Sequence, residues 1–203
     1  MIKAVLFDFG GVLSEGGKAG AIRQIFAQAY GVDPETLRFE DVGAQALKGE
    51  ISDQAFIDGM NRRHPHGRPV SMEAFIATVD HLAPCQPVYK LAAALRRAGI
   101  ITGIMSNTLR VTADSLRERG LYDNFEPLLL SCDEHLAKPQ AEFYKRALKR
   151  LGFAAEEVIF IDDQEVFLAP ARKLGIHTIR ADSPNQIVAD TKALIQKENG
   201  IEL

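Results

Sequence analysis

The chain has 203 residues, of which 46% are hydrophobic and 25% charged, with a formal net charge of −3 at pH 7. That length suits one α/β core with a small insert, and the balance of apolar and charged residues excludes a disordered chain. The slight acidic excess gives no broad positive field for nucleic acid, so an anionic substrate would have to be held by a few placed cations, helix termini and a metal.

Cys85 and Cys132 stand far apart in unrelated contexts. They suit free thiols in a reducing cytoplasm better than a disulfide framework. The first residues lack the charged start, apolar stretch and small-residue cleavage site of a secretory signal, and no apolar run is long enough to span a bilayer. A cytoplasmic protein without membrane or nucleic-acid partners is expected, either a monomer or a homodimer.

In chain order, an apolar run over Ile2–Phe9 predicts a strand that ends by presenting Asp8 on a turn containing Gly10 and Gly11. Glycines there let the backbone approach a bound group closely. The next stretch offers helical patterns over Ala19–Tyr30, Pro34–Leu47, Ser52–Arg62 and Ser71–His81 and no strand, with Asp33-Pro34 as one helix start. Asn61–Pro69 reads as a polar loop between two of these helices.

Val88, Leu91, Leu95 and Ala98 mark a helix face stopped by Gly99. A strand over Ile100–Met105 then runs into Ser106-Asn107-Thr108, which reads either as a set of phosphate-oxygen donors or as a helix cap. After a strand at Leu128–Leu130, Lys138-Pro139 precedes a helix marked by Phe143, Ala147, Leu148 and Leu151 and stopped by Gly152. The proline is expected to fix that helix start, presenting the lysine just before it.

Val158–Ile161 is a further strand, running straight into Asp162-Asp163. Adjacent carboxylates repel unless solvated or given a cation, and hard oxygen ligands suit Mg²⁺. A solvated acidic turn is the alternative. Val166, Phe167 and Leu168 form an apolar stretch before Pro170, which is expected near the start of a helix running to Leu174 and stopped by Gly175, with Phe167 as a packing residue. A last strand is expected at His177–Arg180, and none of the five histidines has metal-ligand spacing.

Alternating strands and helices imply a Rossmann-like, three-layer α/β core with a mostly parallel sheet, built from residues 1–14 and 85–203. Residues 15–84 read as an all-helical cap inserted after the first strand. Leaving the core just past Asp8, such a cap should lie above the carboxyl ends of the strands, where open α/β sheets bind ligands. Specificity is then expected from the cap, chiefly from Ser14–Lys18.

Phe-Asp-Phe-Gly-Gly-Val-Leu at residues 7–13, Ser106-Asn107, Lys138-Pro139 and Asp162-Asp163 resemble, in order and spacing, the four motifs of the haloacid dehalogenase superfamily. The resemblance covers nearly the whole chain and includes a small helical cap. It implies a phosphatase acting on a small phosphorylated metabolite, with Asp8 attacking phosphorus to form an aspartyl-phosphate. It further implies Mg²⁺ held by Asp8, the Gly10 carbonyl and Asp163, with Asp162 bound directly or through water. Gly10, Gly11, Ser106, Asn107 and Lys138 would meet the phosphoryl group, Asn107 by orienting its loop.

One departure stands out. Phosphatases of this superfamily usually carry a second Asp two residues after the nucleophile as general acid, and here that position is Gly10. Losing a general acid lowers the rate by roughly 10²- to 10⁴-fold. Gly-bearing branches that resemble this chain include some sugar-phosphate phosphatases and the amino-terminal domains of certain epoxide hydrolases. One reading is a phosphatase favouring leaving groups that need little protonation, such as anomeric, acyl or aryl phosphates. Alternatively, Glu15 or a cap residue supplies the proton. A 2-haloacid dehalogenase would need no acid, but it would have no use for Asp162-Asp163. A catalytically idle member binding a phosphorylated ligand or a partner protein is the remaining reading, supported by Gly10 and Phe167.

Overall fold

The computed structural model describes residues 1–15, 21–79 and 82–203. In chain order its elements are β1 (Ala4–Phe7), β2 (Ser14–Glu15), α1 (Ala21–Tyr30), α2 (Glu40–Leu47), α3 (Asp53–Arg63), α4 (Met72–Val79), β3 (Ala83–Pro84), α5 (Gln86–Arg97), β4 (Ile101–Ser106), α6 (Arg110–Glu118), β5 (Leu128–Leu130), α7 (Ser131–Glu134), α8 (Ala141–Leu151), β6 (Val158–Asp162), α9 (Glu165–Lys173), β7 (His177–Arg180) and α10 (Pro184–Asn199).

Five of the strands form one parallel sheet in the order β5-β4-β1-β6-β7. β1 and β6 are buried along their whole length, as central parallel strands must be when helices cover both faces. Side chains alternate between the two layers. Val5 and Phe7 join an apolar cluster with Val88 and Leu91 of α5 and Ile187 and Ile195 of α10. Ala4 and Leu6 join another with Phe143 and Ala147 of α8 and Leu168 of α9. The core is therefore three-layered. Phe7 is level with Ile104 of β4 and Ile161 of β6, so Asp8, Ser106 and Asp162 leave the sheet along one edge.

Between β2 and β3 the described residues form four helices with their own apolar cluster, which includes Phe26, Leu37, Phe56, Met60 and Phe75. Phe26 meets Phe39 and Phe56 edge-to-face, at centroid distances of 5.8 and 5.5 Å. β2 and β3 pair antiparallel, Ser14 opposite Pro84, and so bring the two ends of the insert together. Sequence reading finds no strand here, because two residues are too few for alternation to register.

Other differences have local causes. The helix expected over Pro34–Leu47 starts only at Glu40, because Asp33 closes an isolated turn. Its Oδ1 accepts from Glu35 N and its carbonyl from Thr36 N, both at 2.9 Å. Pro139 does not open α8, which starts at Ala141 behind Gln140. Pro170 lies inside α9 rather than near its start. Ala19, Gly20, Asp80 and His81, at the ends of two expected helices, and residues 16–18 of the expected specificity segment lie outside the described residues.

Cys85 and Cys132 are buried free thiols. Among the described residues no helix is long and apolar enough to cross a membrane.

Gly103 in the middle of β4 has no room for a side chain. A Cβ there would stand 2.7 Å from the Pro127 carbonyl oxygen and 2.8 Å from Leu6 Cδ2. Gly103→Ala is expected to destabilise the chain by about 1–3 kcal/mol, read as a lower urea midpoint with an unchanged slope.

Candidate active site

At the edge where β1 and β6 end, the Lys138 ammonium lies between two carboxylates. Its Nζ is 3.0 Å from Asp8 Oδ1 and 2.6 Å from Asp162 Oδ2. Asp8, Lys138 and Asp162 expose only 6%, 3% and 0% of their surface, so solvent screens these charges little. Burial by itself would lower the lysine's pKa, but Asp8 and Asp162 outweigh it and hold the group above its ordinary value, hence charged. Burial pushes the Asp162 carboxyl up to about 6, with Lys138 pulling it down and Asp8 adding to the rise. The rings of Phe167 and Phe160 lie 4.9 and 5.4 Å from the ammonium and offer it their π faces.

Both oxygens of Asp162 have partners. While Oδ2 meets Lys138, Oδ1 accepts from Gln164 N at 2.8 Å and pins the turn after β6. Asp163 is half-buried, and Gly11 backs onto it. With φ at +74°, Gly11 leaves its missing Cβ position 3.0 Å from Asp163 Oδ2, so any other residue would be strained and would press on the carboxylate. The Phe9 carbonyl closes the intervening turn, accepting from Leu13 N and Ser14 N at 3.0 Å each. Gly10 lies half-buried in that turn and bridges to Ser14.

One oxygen each from Asp8, Asp162 and Asp163 lies within 4.8 Å of the others. Asp8 and Asp162 share the Lys138 ammonium, and Asp163 adds a third carboxylate to the same small group. A hard divalent cation with oxygen preference matches this donor set, and the space that Gly11 keeps open favours its carboxylate edge. The residues present therefore fit Mg²⁺.

Two neighbouring loops are tied together. Asn107 Nδ2 donates to the Lys138 carbonyl at 2.9 Å, and Lys138 N donates to Asn107 Oδ1 at 2.8 Å. Thr108 N donates to Ser131 Oγ at 2.9 Å, and that hydroxyl donates back to the Thr108 carbonyl at 3.3 Å. Asn107, expected among the substrate contacts, thus uses both amide atoms on the lysine's peptide. The helix-cap alternative for Ser106-Asn107-Thr108 does not hold, since α6 begins at Arg110 behind Leu109. Ser106 is buried at the end of β4.

Sequence reading missed three contributors. Phe167, read as a packing residue, lies beneath the ammonium, and its carbonyl accepts from Tyr144 Oη at 2.8 Å. Ser131 and the Gln164 backbone carry no signal of their own, because their roles arise only across loops. Glu15 is exposed on the β2–β3 ribbon, and the carboxylates gathered at Asp8 among the described residues are Asp162 and Asp163.

A family model for haloacid dehalogenase-like hydrolases matches residues 2–175. Mouse acyl-CoA dehydrogenase family member 10 is 28% identical over 203 residues, covering 95% of this chain, although this chain spans only 19% of that protein's length. N-acetylmuramic acid 6-phosphate phosphatase from Pseudomonas aeruginosa is 29% identical over 185 residues, covering 87% of this chain and 80% of that protein. A crystal structure of a HAD family enzyme from Bacteroides thetaiotaomicron, in complex with magnesium and inorganic phosphate, superposes with a TM-score of 0.73. It is 26% identical, covering 90% of this chain and 96% of that one.

Lys138→Met would leave two buried carboxylates without their counter-charge. It is expected to lower the unfolding free energy by about 3–5 kcal/mol in metal-free buffer, measured by urea denaturation. Adding Asp162→Asn to that variant is expected to recover part of the loss, because it removes one of the two stranded charges.

Proposed function

The chain belongs to the haloacid dehalogenase-like hydrolase family, and we propose that it is a Mg²⁺-dependent phosphatase acting on a small phosphorylated metabolite in the cytoplasm. The observation that carries this reading is the buried Lys138 ammonium between Asp8 and Asp162, with Asp163 at their side. The activity named for the Pseudomonas relative, and the magnesium and phosphate in the Bacteroides structure, support it.

Asp8 is the nucleophile. Its carboxylate oxygen bonds to phosphorus as the ester oxygen departs, and water then attacks the aspartyl-phosphate, releasing phosphate and restoring Asp8. Lys138 orients the carboxylate and offsets charge on the phosphoryl oxygens, and Ser106 at the same sheet edge offers a hydroxyl donor. Asn107 acts through Lys138, fixing its peptide. Gly10 and Gly11 let phosphoryl oxygens approach the backbone.

Asp8, Asp163 and the Gly10 carbonyl would hold Mg²⁺, while Asp162 stays in the layer behind because Lys138 and Gln164 occupy its oxygens. When bound, the ion supplies charge neutralisation between two anions that would otherwise repel, the nucleophile and the ester. Residues 15–84 act as the cap over this edge. With glycine at position 10 no carboxylate stands two residues after the nucleophile, so the enzyme favours esters whose oxygen leaves without much help from a proton.

A panel of phosphate esters assayed with and without Mg²⁺ tests the reading. Asp8→Asn is expected to abolish turnover, by at least about 10³-fold. An anomeric sugar phosphate should exceed a primary alkyl phosphate by roughly 10²-fold, and equal rates would remove the leaving-group preference. Chloride release from a 2-haloacid without Mg²⁺ would point to carbon-halogen chemistry instead, and phosphate binding without turnover to an idle member. Asp163→Asn is expected to abolish the rise in Tm that Mg²⁺ gives the wild type, by mass action.

A further inference from the structure

Helix α6 starts directly after the Ser106–Thr108 turn, and its own N-cap residue, Leu109, has no side-chain acceptor. The missing acceptor arrives from 58 residues away. Val111 N donates to Asp53 Oδ2 at 2.6 Å. Asp53 is the first residue of α3 in the helical insert and is itself buried, with its other oxygen, Oδ1, enclosed and without a hydrogen-bond partner. Burying a carboxylate with one oxygen unsatisfied is unfavourable and raises the pKa of Asp53, and the amides at the start of α6 together with the Arg110 charge offset part of that.

Two further contacts tie the same loops to the insert. The side chains of Leu109 and Val111 belong to the apolar cluster of Phe26, Phe56 and Phe75, not to either sheet cluster. On the loop leading to Lys138, His135 Nδ1 lies 2.8 Å from the Lys48 carbonyl at the end of α2. Both loops assigned to the phosphoryl group, one carrying Ser106 and the other Lys138, therefore touch the insert as well as each other.

We propose that Asp53 is a positioning residue that caps α6 from the insert and thereby sets the Ser106–Thr108 turn to receive a phosphoryl group. Seating of the insert and completion of the anion site are then a single event. The inference rests on the phosphatase reading above, since it takes phosphate as the ligand of that turn. Asp53 itself touches no substrate. It acts through the α6 backbone.

Inorganic phosphate in saturating Mg²⁺ is the probe, with its affinity measured by calorimetry and amide exchange followed at residues 107–111. Coupling between sites is reciprocal, so in the wild type phosphate should slow exchange of the Val111 amide by about the factor, tenfold or more, by which Asp53→Ala weakens phosphate binding. Amides of β4 should keep their protection in that variant. Asp53→Asn, which retains an acceptor oxygen, should recover most of both effects, a rescue that general loss of stability would not give. The wild-type measurement decides even where Asp53→Ala does not fold: a Val111 amide that ignores bound phosphate overturns the positioning role. So does phosphate affinity within about twofold of wild type in a folded Asp53→Ala chain. A wild type that binds no phosphate counts against the phosphatase reading itself and takes this inference with it.

Discussion

A lysine ammonium held between two carboxylates, out of reach of water, is the constraint on which this molecule turns. Lys138, Asp8 and Asp162 come from three separate segments and are all buried. Desolvating such a group is repaid only when geometry is good and the remaining lone pairs are used. The surroundings meet that demand. Gln164 N takes the second oxygen of Asp162, Asn107 fixes the lysine's peptide on both sides, and two aromatic rings close over the ammonium. The parallel pairing of β1 with β6 supplies the rest, because it fixes Asp8 and Asp162 at the ends of adjacent strands.

That arrangement divides labour between two carboxylates that look alike in sequence. Asp162 is wholly buried and committed to Lys138 and Gln164. Asp163 is half-buried beside Gly11, whose missing Cβ leaves room for its carboxylate. One therefore holds the lysine, and the other stands beside it within the same group of three carboxylates. The difference follows from where β6 stops: Asp162 is its last residue, enclosed by the sheet, and Asp163 is the first residue of the turn beyond it.

Much of this was legible in the chain itself. Continuous apolar runs such as Val-Leu-Phe and Val-Ile-Phe-Ile mark buried parallel strands, and their order with intervening helices gives a three-layer core. Asp8 and the Asp162-Asp163 pair follow such runs directly, so their meeting at one edge could be expected from topology. α10 is missing from the expected elements although its signals are local, since Ser183 and Gln186 form a capping box at one end and Gly200 takes a left-handed conformation at the other. Other features had no such signal. α6 lacks a local cap altogether, and the helix anticipated from Asp33-Pro34 gave way to a turn made by the same aspartate.

By itself, then, the sequence determined the alternation of strands and helices, the buried strand ends that carry carboxylates and the interruption by a helical segment, because these depend on periodicity and on residues adjacent in the chain. Only the tertiary structure decided which oxygens Lys138 meets, that Asn107 grips the lysine's peptide, that Phe167 lies under the ammonium and that Asp53 caps a helix in the core. Each of those is a contact between residues distant in the chain, set by distances of a few ångströms. Side-chain spacing along one segment carries no information about what another segment brings to meet it.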